Sequence, residues 1–213
     1  ENLGISAPMS ASAVSSDGLI NSIEQASDSF LVTEPVGSFQ SVEYSIIFGA
    51  APTICNSTSG TYSSLRPKTS LLSSGDGTYS ICVRVTDGQA INYVYSSPIT
   101  FNLDETLPTR DSGFTLNSSL TSDGYLNITE TGSATNMVSA ALSTGNTVAY
   151  KIALASADCS SLSGYGTSVP QSNDAAFLTG NTYKICLELT DSAVNKTYEN
   201  TTPFTVDKVF ASV

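Results

Sequence analysis

The sequence predicts an all-β protein built from two tandem antiparallel β-sandwich domains. Three observations predict this class. The chain repeats itself once, the clearest repeated segment alternates apolar and polar residues, and no window carries a convincing helical stripe. The 213 residues are 40% hydrophobic, which is enough for packed cores. We expect a first domain at residues 1–107 and a second at residues 108–213.

The internal repeat has an offset of 103 to 106 residues, and it runs through most of both halves. Three pairs of segments carry it: 16–21 with 122–127, 78–87 with 182–191, and 101–104 with 204–207. The slow drift of the offset is what small loop deletions produce. Two homologous domains of about 100 residues follow. The polar segment 104–109 contains Pro108 and suits a stiff, near-extended linker between them.

The strongest strand signal is the alternation over residues 79–86. Tyr79, Ile81, Val83 and Val85 fall on one face, and the residues between them, including Cys82, fall on the other. This predicts a half-buried antiparallel strand, and the second copy repeats the pattern. Further strands are expected near 29–34, 41–48 and 96–103, with counterparts near 135–142, 147–155 and 200–206.

The strand that carries Tyr79 and Cys82 resembles strand F of immunoglobulin-like and fibronectin-like domains. The resemblance implies that the tyrosine is a corner residue whose hydroxyl bonds backbone upstream. In antibody domains the strand-F cysteine lies two residues after this tyrosine. Here Cys82 and Cys186 lie three residues after Tyr79 and Tyr183, so strand parity places them on the outward face. A bridge through the core is therefore not expected.

The four cysteines form two pairs with equal gaps of 27 residues. Of the three possible connectivities, equal gaps favour Cys55–Cys82 and Cys159–Cys186. We expect each bridge to hold the segment after the preceding strand against the outer face of strand F. Disulfides indicate export to an oxidising compartment. The alternative is four buried free thiols in a cytosolic protein.

The start and end of each half resemble known tandem repeats. The pattern Asp-Gly-x-(Ile/Leu)-Asn-x-x-Glu near each start and Phe-x-(Leu/Val)-Asp at each end resemble the immunoglobulin-like (Big or fibronectin-like) repeats of large bacterial surface adhesins and stalks. The resemblance implies an extracellular, cell-surface or periplasmic segment of a longer protein. Its expected partners are neighbouring domains of the same chain, and a surface protein or glycan of another cell.

Composition argues against several function classes. The net charge is −11, with no His and no Trp. The acidic balance disfavours nucleic acid, and no apolar run is long enough for a membrane helix. Without His, and without a Gly-x-Ser-x-Gly elbow or a phosphate-binding glycine loop, we expect no enzyme and no firm cofactor. A Ser-Lys dyad or a carboxylate pair is the enzymatic alternative.

Calcium is the metal that the sequence leaves open, because it takes six to eight oxygen ligands. The candidate oxygen donors are Asp17, Asn21, Glu24, Asp87, Asp104, Glu105, Asp123, Asn127 and Glu130. The alternative is that each Asp-Gly makes a turn and each Glu is solvated or caps backbone.

Tyr62 and Tyr165 are the candidate ligand contacts, since each lies in a stretch rich in hydroxyl groups and Gly after the first Cys of its pair. The alternative is that each folds back over its own disulfide. Two functions follow: a non-enzymatic stalk or adhesion module, or a dedicated binding protein whose loops recognise a carbohydrate or a protein.

Overall fold

A computed structural model describes residues 4–13, 15–87 and 92–209. The chain divides into two compact units, the first ending at Thr106 and the second beginning at Leu107. Each unit is a mostly β domain. No described helix is long and apolar enough to cross a membrane.

The described residues of the first domain form seven strands and two single helical turns. In chain order these are β1 Gly4–Ala7, β2 Leu19–Asn21, α1 Ser22–Gln25, β3 Val36–Ser38, β4 Ser41–Phe48, a 3₁₀ turn at Thr69–Leu71, β5 Gly77–Thr86, β6 Tyr93–Tyr95 and β7 Ile99–Asp104. Strand β5 is central. It pairs antiparallel with β4 on one side and with β6 and β7 on the other. Strand β2 runs parallel to β7 at the edge, and β1 pairs with β3 in a second sheet.

The second domain repeats the main sheet of the first. Its elements are α2 Ser118–Thr121, β8 Tyr125–Asn127, a 3₁₀ turn at Glu130–Gly132, β9 Thr147–Leu154, a 3₁₀ turn at Cys159–Ser161, β10 Thr182–Thr190, β11 Lys196–Asn200 and β12 Phe204–Asp207. Strand β10 is central, with β9 on one side and β11 and β12 on the other. Strand β8 runs parallel to β12.

The predicted strands near 29–34 and 135–142 are wrong as continuous strands, because the structure has only isolated bridges there. Leu31 N–H donates to the Pro67 carbonyl at 3.0 Å, and Met137 N–H donates to the Pro170 carbonyl at 2.8 Å. A proline carries no N–H to return a ladder bond. The pairing therefore stops after one or two contacts in both domains.

The alternation over β5 correctly predicted the core face. Tyr79, Ile81, Val83 and Val85 are all buried. The first core combines apolar residues of β2, β4, β5 and β7 with Leu31, Val32 and Leu72. The second core is built in the same way around β10 and includes Phe177 and Phe204.

The tyrosine corner is confirmed in both domains. The Tyr79 hydroxyl donates to the Gly75 carbonyl at 3.0 Å and accepts from Ser74 N–H at 3.1 Å. The Tyr183 hydroxyl accepts from Leu178 N–H at 3.0 Å. Each hydroxyl thus fixes the chain just before the central strand begins.

Candidate functional site

The outer face of each central strand carries a disulfide. Cys55 bonds to Cys82 and Cys159 bonds to Cys186, each across 27 residues. Cys82 and Cys186 are fully buried although they lie on the outer face of β5 and β10. The segment after β4 or β9 folds back over the sheet and covers them. Such buried disulfides belong to an exported protein in an oxidising compartment.

In the first domain, aromatic rings surround an arginine over the disulfide. The Arg84 guanidinium carbon lies 4.4 Å from the Tyr62 ring centre and 4.5 Å from the Tyr93 ring centre. Arg84 Nε donates to Glu43 Oε2 at 2.7 Å, and the Tyr95 ring lies 5.9 Å from that of Tyr62. This cation–π cluster is paired within its own domain.

Tyr62 and Tyr165 have the same structural role in the two domains. The Tyr62 hydroxyl donates to the Asn56 carbonyl at 3.0 Å, and the Tyr165 hydroxyl donates to the Cys159 carbonyl at 2.7 Å. Burial, followed by the negative charge of Glu188, raises the pKa of Tyr165 to about 12. Tyr165 also packs with Tyr198 over the second disulfide. Tyr165 therefore packs against the second disulfide, and the hydroxyl groups of both predicted ligand contacts bond to their own domains.

The repeated Asn and Glu residues of the calcium set form capping boxes. Asn21 Oδ1 accepts from Glu24 N–H at 3.0 Å, and Glu24 Oε2 accepts from Asn21 N–H at 3.1 Å. The pair Asn127 and Glu130 makes the same two bonds at 3.2 Å and 2.8 Å. These oxygens satisfy the free backbone donors at the start of a helical turn.

The aspartates that precede them make turns. Asp17 Oδ1 accepts from Leu19 N–H at 3.0 Å, and Asp123 Oδ1 accepts from Tyr125 N–H at 2.9 Å. Both are bonds from a side chain to the backbone two residues on, the Asx-turn pattern.

The three remaining calcium candidates lie at the end of β7 or directly after β5 and β7. Asp87 accepts from Asn92 Nδ2 at 3.4 Å, and Asp104 accepts from Thr106 N–H at 3.1 Å. Glu105 N–H donates to Asp76 Oδ1 at 2.7 Å. Within residues 4–13, 15–87 and 92–209, no three carboxylate or thiol side chains gather closely enough to hold a metal ion. Calcium binding by the nine candidates therefore stays a prediction.

A feature that the sequence did not predict is a shallow groove of about 530 Å³ in the second domain. It lies between the outer edge of β9 and the segment 168–176. The segment departs from the first copy at key positions, with Gln171 where the first domain has Lys68 and Val169 where it has Arg66. Aligning the two copies through this segment was the signal that could have found it.

No family model and no curated protein matches the chain. A solved structure with some similarity is a Ca²⁺-stabilised adhesin that helps an Antarctic bacterium reach out and bind ice. It is 18% identical, with a TM-score of 0.44, over 96% of this chain and 50% of that one.

A second similar structure comes from a 1.5-MDa bacterial ice-binding adhesin and is 20% identical over 95% of this chain and 65% of the solved chain, with a TM-score of 0.38. A third is protocadherin gammaB7, 18% identical over 86% of this chain and 46% of that one, with a TM-score of 0.27. The chain spans about half to two thirds of these structures.

Proposed function

We propose that this chain is a load-bearing, non-enzymatic segment of an extracellular bacterial adhesin or stalk, holding a binding region away from the surface that carries it. The resemblance of its repeats to bacterial surface repeats suggests this setting, and the two buried disulfides suit it. The observation that carries the proposal is the parallel pairing of the first and last strands of the main sheet in each domain.

In the first domain the parallel pair is β2 with β7. Leu19, Ile20 and Asn21 lie opposite Asn102, Leu103 and Asp104, respectively. A pull on the two ends of the domain draws β2 backward and β7 forward. Because the strands are parallel, this force shears the evenly spaced ladder bonds together rather than opening them one at a time. The short β1–β3 pair lies outside this ladder and gives way first.

The second domain has the same arrangement in β8 and β12. Thr205 N–H donates to the Gly124 carbonyl at 2.9 Å, as Asn102 N–H does to the Gly18 carbonyl at 2.9 Å. Behind each parallel pair stands a sheet whose central strand is held by a disulfide and a tyrosine corner. Resistance to forced unfolding is the property this construction favours.

The test is to remove one ladder bond and measure the unfolding force. The whole chain is stretched from its two ends by single-molecule force spectroscopy. Asn102→Pro deletes the N–H that bonds to Gly18, and since this group faces β2, the ladder between β5 and β7 keeps its bonds. We expect one of the two unfolding events to move to a clearly lower force.

Asn102→Ala is the matched control, because it removes the side chain, including its bond with the Thr78 hydroxyl, and keeps the N–H. It should leave both unfolding forces near their original values. The second domain serves as an internal reference in every trace. An unchanged force in Asn102→Pro, or an equal loss in Asn102→Ala, would contradict the load-bearing role of the parallel pair.

A further inference from the structure

The groove in the second domain has the composition of a ligand site. Its floor is apolar and largely covered, with Tyr150, Ile152 and Pro170. Its rim is polar and consists of Lys151, Ser168, Gln171, Asn173 and Asp174. An apolar floor with a few convergent polar groups is the usual arrangement of a small-molecule site.

The first domain provides an internal comparison for this groove. The bond from Leu31 to Pro67 corresponds to the bond from Met137 to Pro170, so the segments that follow can be aligned. In the first domain, Lys68 Nζ bonds Asp28 at 2.7 Å and the Ser70 hydroxyl bonds the same carboxylate. These polar groups are satisfied inside their own domain.

Arg66 is also engaged in the first domain. Its Nε donates to the Val32 carbonyl at 2.9 Å, and its guanidinium lies 4.1 Å from the centre of the Phe30 ring. In the second domain the equivalent residues are Val169 and Asn136. The long side chain of Arg66 in the first domain is therefore replaced by the shorter side chain of Val169 in the second.

The rim residues of the second domain have kept their polarity without these partners. Gln171 and Asn173 stand where Lys68 and Ser70 stand in the first domain. Within the part of the chain that the structure describes, the side chains of Ser168, Gln171 and Asn173 form no hydrogen bond. They are exposed at the mouth of the groove and available to a ligand.

The chemistry of the rim suits a neutral ligand rich in hydroxyl groups. An amide side chain donates and accepts, and so does a hydroxyl group of a sugar. Asp174 contributes a negative charge, the Lys151 ammonium group donates to the Gly164 carbonyl at 3.2 Å, and the chain as a whole carries −11, so a strongly anionic ligand is disfavoured. The apolar floor matches the C–H face of a sugar ring.

An added peptide strand fits the groove less well. Tyr150 exchanges two backbone bonds with Gly166, at 2.7 Å and 2.9 Å, on the edge of β9 away from β10. Alternation leaves Ile152 and Leu154 on that edge before the strand ends. Two positions give too short a ladder for strand addition.

We propose that this groove, which we call the amide groove, binds a neutral saccharide through Gln171 and Asn173 above the floor of Tyr150 and Ile152. The proposal does not depend on the load-bearing role and extends beyond it. It gives the second domain a contact function that the first domain lacks.

The test uses the whole chain on a printed array of neutral, sialylated and sulfated glycans. The neutral glycan with the strongest signal is then titrated into ¹⁵N-labelled protein. We expect chemical-shift changes centred on the amide groove. The double variant Gln171→Ala/Asn173→Ala should raise Kd about tenfold or more, since it removes two neutral hydrogen-bonding groups.

The matched control is Lys68→Ala/Ser70→Ala, the equivalent pair in the first domain, which should leave Kd unchanged. Both variants change exposed or half-exposed side chains, and their ¹⁵N spectra show whether the fold is retained. Binding of sialylated or sulfated glycans only, no bound neutral glycan, or a Kd unaffected by the Gln171→Ala/Asn173→Ala change would overturn the proposal. None of these outcomes alters the expected unfolding force.

Discussion

Each disulfide should hide a defined length of chain when its domain is pulled apart. Cys55 and Cys82 are 27 residues apart, and their Cα atoms are 5.6 Å apart across the bond. A stretched chain spans at most about 3.6 Å per residue, so the closed loop conceals roughly 90 Å. The second domain has the same separation and a Cα distance of 5.7 Å, so its hidden length is equal.

The perturbation is Cys55→Ala with Cys82→Ala, which opens only the first loop. In force–extension traces of the whole chain, one unfolding step should lengthen by roughly 90 Å while the other keeps its length. The converse pair, Cys159→Ala with Cys186→Ala, should lengthen only the other step. Steps of unchanged length in either variant, or a lengthening shared by both domains, would refute the reasoning.

Four further predictions concern stability. The buried Ser45 hydroxyl has no partner, so Ser45→Ala should hold or raise the unfolding free energy by up to about 1 kcal/mol in urea denaturation. A Cβ at Gly60, where φ is +80°, would lie 2.4 Å from Ser45 Oγ. Gly60→Ala should thus lower the unfolding free energy more in the native protein than in the Ser45→Ala variant. Equal losses in the two backgrounds would contradict this contact. Hydrogen bonds from Thr106 and then from the Glu105 N–H hold the pKa of Asp76 below its usual 3.8. Their stabilisation is therefore present above that pH and lost as the pH falls through the lowered pKa, and Asp76→Asn should flatten the acid slope in urea titrations between pH 5 and 2. Tyr79→Phe should lower the unfolding free energy by about 1–2 kcal/mol, since it removes both hydrogen bonds of the tyrosine hydroxyl. An unchanged unfolding free energy would mean that these bonds do not stabilise the domain.

The alternation of a single strand predicted much of the fold. The parity of Tyr79 and Cys82 was enough to put one in the core and the other on the outer face, because side chains along a strand alternate between its two faces. Strand parity did not predict that Cys82 would be fully buried on that outer face. The residues that cover it belong to a distant segment and not to the strand itself.

The strands that failed to form show where local patterns mislead. The residues near 29–34 are apolar enough for a strand, but their partner is a segment with Pro67, and the missing N–H lies on that partner. Strand formation depends on both sides of a ladder, and the sequence pattern of one side cannot report the other.

The backbone-capping role of these calcium candidates was within reach of the sequence. Asn21-x-x-Glu24 has the spacing of a capping box, and its repetition at Asn127 reflects the duplication of a structural motif. The amide groove could be located only in part, by aligning the two copies. That the groove's polar side chains have lost their partners becomes clear only when the hydrogen-bond partners of Lys68 in the first domain are known.

The parallel pairing of the first and last strands of each main sheet also determines where the chain enters and leaves that sheet. The chain enters β2 at one end of the first domain and leaves β7 at the opposite end, and β8 and β12 do the same in the second. Within each domain by itself, the two ends of this parallel pair therefore leave the main sheet in opposite directions.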